Sequence, residues 1–308
     1  MAEIQLYDVV ILGTGPAGIQ AAIHSARKKA AVIVLGKESG SSAYKAHVEN
    51  FAFIFKVSGE EMLKTGRIQA NAFGAEFLEE DILRITPKEL GYQVLTESGC
   101  EIETRTIIIA TGTYRNQLGV PGEKELLGKG VSYCVDCDGN FFRGETVAVI
   151  GCESAAADGA LTLSEIAGTV HLVCDQMNLS ESLERKVRNS RIVLHETTGV
   201  TAIIGSDAVN ALLLSDGVSL PVSGVFIELG AKGLMELALS LGIRLDDEMK
   251  YIGVNRKQET NLPGIYAAGD ICGPPWQIAK AVGEGCVAGI EAASYAKKLR
   301  GQWKSNIL

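Results

Sequence analysis

The sequence predicts an α/β protein of two Rossmann-like domains, the second inserted into the first. Three observations carry this reading. A strand, a glycine turn and a helix follow one another in "YDVVILGTGPAGIQAAIHSARKKA", and the same layout returns in "TVAVIGCESAAADGALTLSEIA". Glycine is abundant, at 35 of 308 residues, with no collagen-like period, as many tight strand-to-helix turns require. In the first copy an apolar run ends at Gly13, a turn spans Gly13-Thr14-Gly15-Pro16-Ala17-Gly18, and an Ala/Ile-rich helix follows. "VIVLG" and "VHLVC" supply the next strand of each copy, and "RTIIIATG" and "GVFIELG", ending at Gly112 and Gly230, supply a further one. The tail "NLPGIYAAGDICGPPWQIAKAVGEGCVAG" belongs with the first copy. The expected division is residues 1–116 and 246–308 for the discontinuous domain and 117–245 for the insert. Its linkers are the Gly/Pro stretch "LGVPGEKELLGKG" and the polar run "LGIRLDDEMKY".

Composition bounds the function. With 46% hydrophobic residues the chain has core enough for two domains. A net charge of −8 argues against nucleic acid and anionic lipid as partners, since both favour basic surfaces. No apolar run approaches ~18 residues and no secretory leader pattern opens the chain, so a cytoplasmic protein off the membrane is expected. Seven cysteines in no regular framework point away from structural disulfides and toward a reducing compartment.

The first turn reads as a dinucleotide site. Gly15 lets the backbone approach a pyrophosphate, and the helix starting at Pro16 favours its charge. Glu38, 25 residues after Gly13, stands beyond the second strand, where an acid accepts ribose hydroxyls. Cys134 and Cys137 form the one closely spaced cysteine pair. Zinc would need a second pair or spaced histidines, and His24, His47, His171 and His195 stand alone in the sequence, so no metal is expected. A redox dithiol is the remaining reading. Attack on a disulfide needs a thiolate, and the departing sulfur needs a proton, which Asp138 could shuttle. Asp136, between the cysteines, reads as a solvated side chain.

At this point the sequence resembles the low-molecular-weight thioredoxin reductases. "GTGPAG", "VEN" (48–50), "IIATG", "CVDCDG", "VAVIG" and "IYAAGD" occur in that family's order over nearly the whole chain. The resemblance implies a discontinuous FAD domain, an inserted pyridine-nucleotide-type domain carrying the cysteines, and a homodimer. It implies that Cys137 reacts with the flavin, Cys134 exchanges with thioredoxin, and Asp138 is the acid/base. FAD contacts would come from Gly13, Gly15, Pro16, Ala17, Gly18, Glu38, Asn50, Ala110, Thr111, Gly112, Gly269 and Asp270. The helix from Gln277 and Ile278 would lie against the isoalloxazine.

The chain also departs from the family. Nicotinamide-dependent members carry Gly-x-Gly-x-x-Ala/Gly in the insert; residues 151–156 here read Gly-Cys-Glu-Ser-Ala-Ala. Glu153 sets a carboxylate where phosphate must approach, and a carboxylate there satisfies the helix dipole itself. Cys174-Asp175-Gln176 replaces the His-Arg-Arg cluster that holds a 2′-phosphate, although Asp175, 24 residues after Gly151, suits an NADH ribose. In "SGSSAYKAHVEN" bulkier residues replace a Gly-Gly-Gln-type flavin loop, bringing Tyr44, Lys45 or His47 toward the flavin. Together these features resemble the ferredoxin-dependent flavin thioredoxin reductases, which implies ferredoxin as donor. A basic docking face for an acidic ferredoxin would draw on Arg27, Lys28 and Lys29, or on Lys297, Lys298, Arg300 and Lys304. Rival readings are an NADH-dependent reductase, an FAD-dependent dithiol oxidase using oxygen, and a non-catalytic flavin redox sensor. Cys100, Cys152, Cys174 and Cys286 read as small buried hydrophobes. Cys272 and Trp276 fall close enough to Asp270 to lie near the flavin.

Overall fold

The computed structural model describes residues 5–112, 117–230 and 241–305. The chain divides into two compact units: Met1–Thr96, Cys100–Tyr114 and Ala238–Leu308 form one, Glu97–Gly99 and Arg115–Leu237 the other. In chain order the strands are β1 (Gln5–Leu12), β2 (Val32–Leu35), β3 (His47–Val48), β4 (Val57–Ser58), β5 (Ala75–Leu78), β6 (Ile82–Lys88), β7 (Gly91–Thr96) and β8 (Glu101–Ile109). They continue with β9 (Val131–Ser132), β10 (Thr146–Ile150), β11 (Thr169–Cys174), β12 (Val193–Glu196), β13 (Val200–Gly205), β14 (Val209–Leu214), β15 (Ser219–Pro221), β16 (Gly224–Ile227) and β17 (Ile265–Ala267). The helices are α1 (Pro16–Arg27), α2 (Gly59–Ala72), α3 (Val135–Asp138), α4 (Ser154–Ser164), α5 (Glu181–Arg188) and α6 (Ile278–Ser305).

The first unit is built on a sheet ordered β5-β2-β1-β8-β7-β6, with β17 also paired to β8. β1, β2, β5, β8 and β17 run parallel, whereas β6, β7 and β8 form an antiparallel meander. Val9, Val10, Ile11 and Leu12 are buried without alternation, as expected of a parallel strand covered on both faces. Helices α1 and α6 pack together, and Ser25 Oγ donates to the Gly289 carbonyl at 2.9 Å. Asp8, 3% exposed, anchors this packing: it accepts the Ala31 N–H at 2.9 Å, pairs with Arg105 at 2.9 Å, and pairs with Arg300. A buried carboxylate is tolerable only when so surrounded.

The second unit carries a parallel sheet ordered β12-β11-β10-β16-β9 and a separate antiparallel sheet, β13-β14-β15. Its two faces are filled by distinct clusters, Val147, Val149, Leu163 and Phe226 on one and Ala148, Ile150, Val225 and Leu212 on the other.

His171 and His195, solitary in the sequence, are neighbours here. Strands β11 and β12 bring Nδ1 of His171 within 2.9 Å of Nε2 of His195, and the two rings share a hydrogen bond. Burial, and for His171 the adjacent His195, holds both pKa values below the usual histidine value; Asp216 partly offsets this at His195. The unfolded chain therefore binds more protons on acidification than the folded one. Stability is undiminished above about pH 6.5 and falls as the pH drops below that value. Urea melts at pH 7.5 and 5.5 should show the loss, and His195→Gln should flatten it; an equal loss in the variant would place the cause elsewhere.

Candidate active site

The first glycine turn lies in the first unit, where β1 meets α1. Gly13 has φ +112°, its N–H donates to the Leu35 carbonyl at 2.8 Å, and a Cβ there would fall 2.3 Å from the Ala110 carbonyl oxygen. Only glycine meets both conditions. Gly15 is the N-cap of α1, Pro16 opens the helix, no side chain caps it, and no acid stands in its first turn. The positive end of the helix is thus open to an anion. Ser41 approaches this turn: a Cβ at Gly15 would lie 3.2 Å from its Oγ.

Ala110, Thr111 and Gly269 border the turn. Ala110 donates its N–H to the Leu12 carbonyl at 2.7 Å; Thr111 is exposed and Gly112 has φ +73°. Gly269 abuts Ala17, since a Cβ there would lie 3.0 Å from the Ala17 Cβ. Asn50 Nδ2 donates to Gln277 Oε1 at 3.0 Å, closing a contact across 227 residues immediately before Ile278 opens α6. Glu38 opens a short 3₁₀ turn, Glu38–Gly40, and lies 3.5 Å from Arg67, which also pairs with Glu79 and stacks over Phe77.

Arg67, Lys280 and Glu284 were not legible as site neighbours. Glu284 Oε2 accepts the Gly269 N–H at 2.8 Å, while Lys280 Nζ donates to the Gly269 carbonyl at 2.8 Å and pairs with Glu284 at 3.0 Å. Their i,i+4 spacing on a helix was the available signal. Burial raises the Asp270 pKa and Glu284 adds to the rise, with Lys280 opposing. Burial also pushes the Cys272 thiol up to about 12, so that sulfur stays protonated at neutral pH. Tyr44 bonds to Glu60 and His47 pairs with Glu49 at 2.9 Å, so both rings have local partners.

The dithiol lies in the second unit. Cys134 and Cys137 form a disulfide, with Cys134 8% exposed and Cys137 exposed. Cys134 is the N-cap of α3, and its Sγ accepts the Cys137 N–H at 3.1 Å. Ser132, which sequence reasoning passed over, ties the motif together: its hydroxyl donates to Asp138 Oδ2 at 2.7 Å and accepts the Cys134 N–H at 3.0 Å. Asp136 is exposed. Among the described residues no group of three or more His, Cys, Asp or Glu is placed to hold a metal ion.

The second glycine turn keeps the strand–turn–helix form, with a carboxylate in place of glycine at its helix N-cap. Gly151 has φ +150° and donates to the Val173 carbonyl at 3.1 Å. Glu153 is the N-cap of α4, yet its side chain makes no capping hydrogen bond. The carboxylate adds negative charge at that helix end without taking up an N–H, and its attraction to the helix dipole needs no hydrogen bond. Asp175 is exposed at the end of β11. Cys174 is buried against the partly exposed Cys152, and burial followed by the bond to Cys152 raises its pKa.

Residues 7–285 match the family described as pyridine nucleotide-disulphide oxidoreductase. The thioredoxin reductase of Listeria innocua is 35% identical over 312 residues, covering 97% of each chain. This chain belongs to the thioredoxin reductase family. Among solved structures, the atypical thioredoxin reductase TRi from Desulfovibrio vulgaris Hildenborough aligns with a TM-score of 0.82 at 34% identity, over 94% of this chain and 98% of that one. A ferredoxin-flavin thioredoxin reductase from Clostridium acetobutylicum aligns at 0.70 and 29%, over 96% and 100%. The reductase is an FAD-binding flavoprotein, and its first turn fits that group: the open N-terminus of α1 suits a pyrophosphate, and Gly13 admits no side chain. Among the described residues no helix is long and apolar enough to cross a membrane.

Proposed function

We propose that this thioredoxin reductase draws electrons from reduced ferredoxin rather than from a nicotinamide, and delivers them through FAD and the Cys134–Cys137 disulfide to thioredoxin. One observation carries the donor assignment: Glu153 occupies the N-cap of α4, where a nicotinamide's pyrophosphate would have to sit. Asp175 adds a second negative charge where a 2′-phosphate would bind. The similarity to a ferredoxin-flavin thioredoxin reductase supports the same reading.

The first turn, with Asn50, Gln277 and Asp270, would hold FAD, which would supply the conversion between single-electron and paired-electron transfer. Cys137 is the sulfur that meets the flavin, and Cys134 the one that exchanges with thioredoxin. Cys134 is largely buried, so exchange requires its cover to move. Asp138, oriented by the Ser132 hydroxyl, donates a proton to the departing sulfur and recovers it afterwards. The active form is a homodimer in the cytoplasm. Arg27, Lys28 and Lys29 are exposed at the end of α1, as are Lys297 and Lys298 on α6, and either set suits an acidic ferredoxin. Arg300 drops out, because it is committed to Asp8; the Lys304 side chain lies outside the described residues.

Anaerobic titration of the oxidised enzyme with NADPH, NADH and reduced ferredoxin, followed by flavin absorbance, tests this assignment. Ferredoxin should bleach the flavin stoichiometrically, and either nucleotide at micromolar concentration should leave it yellow. Full bleaching by micromolar NADPH would overturn the donor assignment, and bleaching by NADH alone would favour the reading of Asp175 as a ribose acceptor. Rapid oxygen consumption with a small dithiol would instead mark a dithiol oxidase.

A further inference from the structure

Two cysteines outside the Cys134–Cys137 pair meet at the second glycine turn. Cys174 is the last residue of β11 and 2% exposed, while Cys152 directly follows Gly151 and is partly exposed. Strands β10 and β11 run parallel with Ile150 abreast of Val173, and the Gly151 N–H donates to the Val173 carbonyl at 3.1 Å. Carried one residue on, this register sets Gly151 beside Cys174 and Cys152 diagonal to it. The turn leans toward the chain leaving β11, because the Cys152 carbonyl accepts the Asn178 N–H at 2.8 Å. The two side chains share a hydrogen bond, and both thiols are free while Cys134–Cys137 is closed. Residues diagonal across neighbouring strands have Cα atoms roughly 6 Å apart, inside the span of about 4.4–6.8 Å that a disulfide bridges.

We propose that Cys152 and Cys174 are a second oxidisable thiol pair, closed into a disulfide by hydroperoxides. Burial keeps the Cys174 thiol protonated, so the partly exposed Cys152 is the sulfur that meets the oxidant. With hydrogen peroxide, the Cys152 sulfur takes one oxygen, the O–O bond breaks, and the thiol proton leaves with the displaced hydroxide as water. The Cys174 sulfur then attacks the sulfenic acid, the S–O bond breaks, and the Cys174 proton leaves in a second water. Two thiols lose two electrons and two protons, and one peroxide becomes two waters. Asp175 beside Cys174 and Glu153 beside Cys152 are acidic neighbours, which favours an uncharged peroxide over anionic oxidants. Once closed, the bond ties the turn ahead of α4 to the end of β11.

The FAD-loaded enzyme is reduced with dithiothreitol, freed of reductant anaerobically, treated with hydrogen peroxide in the presence of dimedone, and alkylated before digestion. Trypsin keeps Cys152 and Cys174 in one peptide, residues 144–185, and Cys134 and Cys137 in another. The first peptide should lose two hydrogens and resist alkylation, and dithiothreitol should restore both thiols. Cleavage after Glu153 and Glu165 should leave the two cysteine fragments joined. Dimedone traps sulfenic acid, so its label on Cys152 should be at least about tenfold greater in Cys174→Ser than in the parent, where a neighbouring thiol captures the intermediate first. Cys174→Ala should behave alike, which separates loss of the thiol from any effect of a buried hydroxyl. In Cys152→Ser, Cys174 should stay unlabelled. A parent peptide that remains open and fully alkylated, or dimedone labelling of Cys152 within about threefold in parent and both Cys174 variants, overturns the proposal. Labelling of Cys174 in C152S overturns the assignment of Cys152 as the sulfur attacked first.

Discussion

Cys137→Ser lowers thioredoxin-coupled turnover by at least about 10³-fold, while dithionite still bleaches the bound flavin at the parent rate. The loss follows from bond chemistry. A serine hydroxyl forms no disulfide, and at neutral pH it is scarcely ionised, so the electron pair has no sulfur to accept it. Cys134→Ser should fall equally far, and the double variant no further, because residues that act as one unit lose the whole function when either is removed. Folding is expected to survive: α3 is four residues long, and Ser132, Asp138 and Glu228 still tie the turn in place through Cys134 and Val135. The measurement is single-turnover reduction of thioredoxin from dithionite-reduced enzyme. Turnover in C137S above a tenth of the parent rate would remove the pair from the proposed route.

The second large effect concerns the nicotinamide site. Glu153→Gly should tighten NADH binding by roughly a hundredfold. At about 5 Å and an effective dielectric of about 20, one like-charge encounter costs about 3 kcal/mol, equivalent to more than a hundredfold in affinity. The backbone at 153 has φ −117°, which glycine and glutamine adopt alike, and glycine at an N-cap costs only a few tenths of a kcal/mol relative to better caps. Glu153→Gln should recover the electrostatic part alone and fall between parent and E153G, separating charge from bulk. NADPH should remain the weaker ligand in both variants, because Asp175, retained in each, adds negative charge where a 2′-phosphate would bind. Isothermal titration of the oxidised variants reads all three. An E153G enzyme that binds NADH no better than the parent would show that the barrier lies elsewhere in the insert.

Legibility in the sequence tracked separation along the chain. The two strand–turn–helix units and the glycines at 13 and 151 could be read because strand, turn and helix are encoded within about twenty consecutive residues. Strand β8 was legible, but its antiparallel partners β6 and β7 and the β13–β14–β15 sheet escaped notice, since these strands mix polar with apolar residues and form no continuous apolar run. Histidines read as solitary turned out paired, because parallel pairing of β11 with β12 brings together residues that are 24 apart. The basic cluster at the C-terminal end lost one member when Arg300 proved to be the partner of Asp8, 292 residues away.

By itself the sequence determined the fold class, the first turn as a dinucleotide cradle, the dithiol, and the anomaly at Glu153, all of them matters of residue type at short spacing. Only the tertiary structure decided what surrounds them: Gln277 on Asn50, Lys280 and Glu284 on Gly269, Ser132 on Asp138, and Glu228 on Val135. The reason is physical. A backbone turn is specified by local steric limits, whereas a buried polar group takes whichever partner the packing of distant strands and helices delivers.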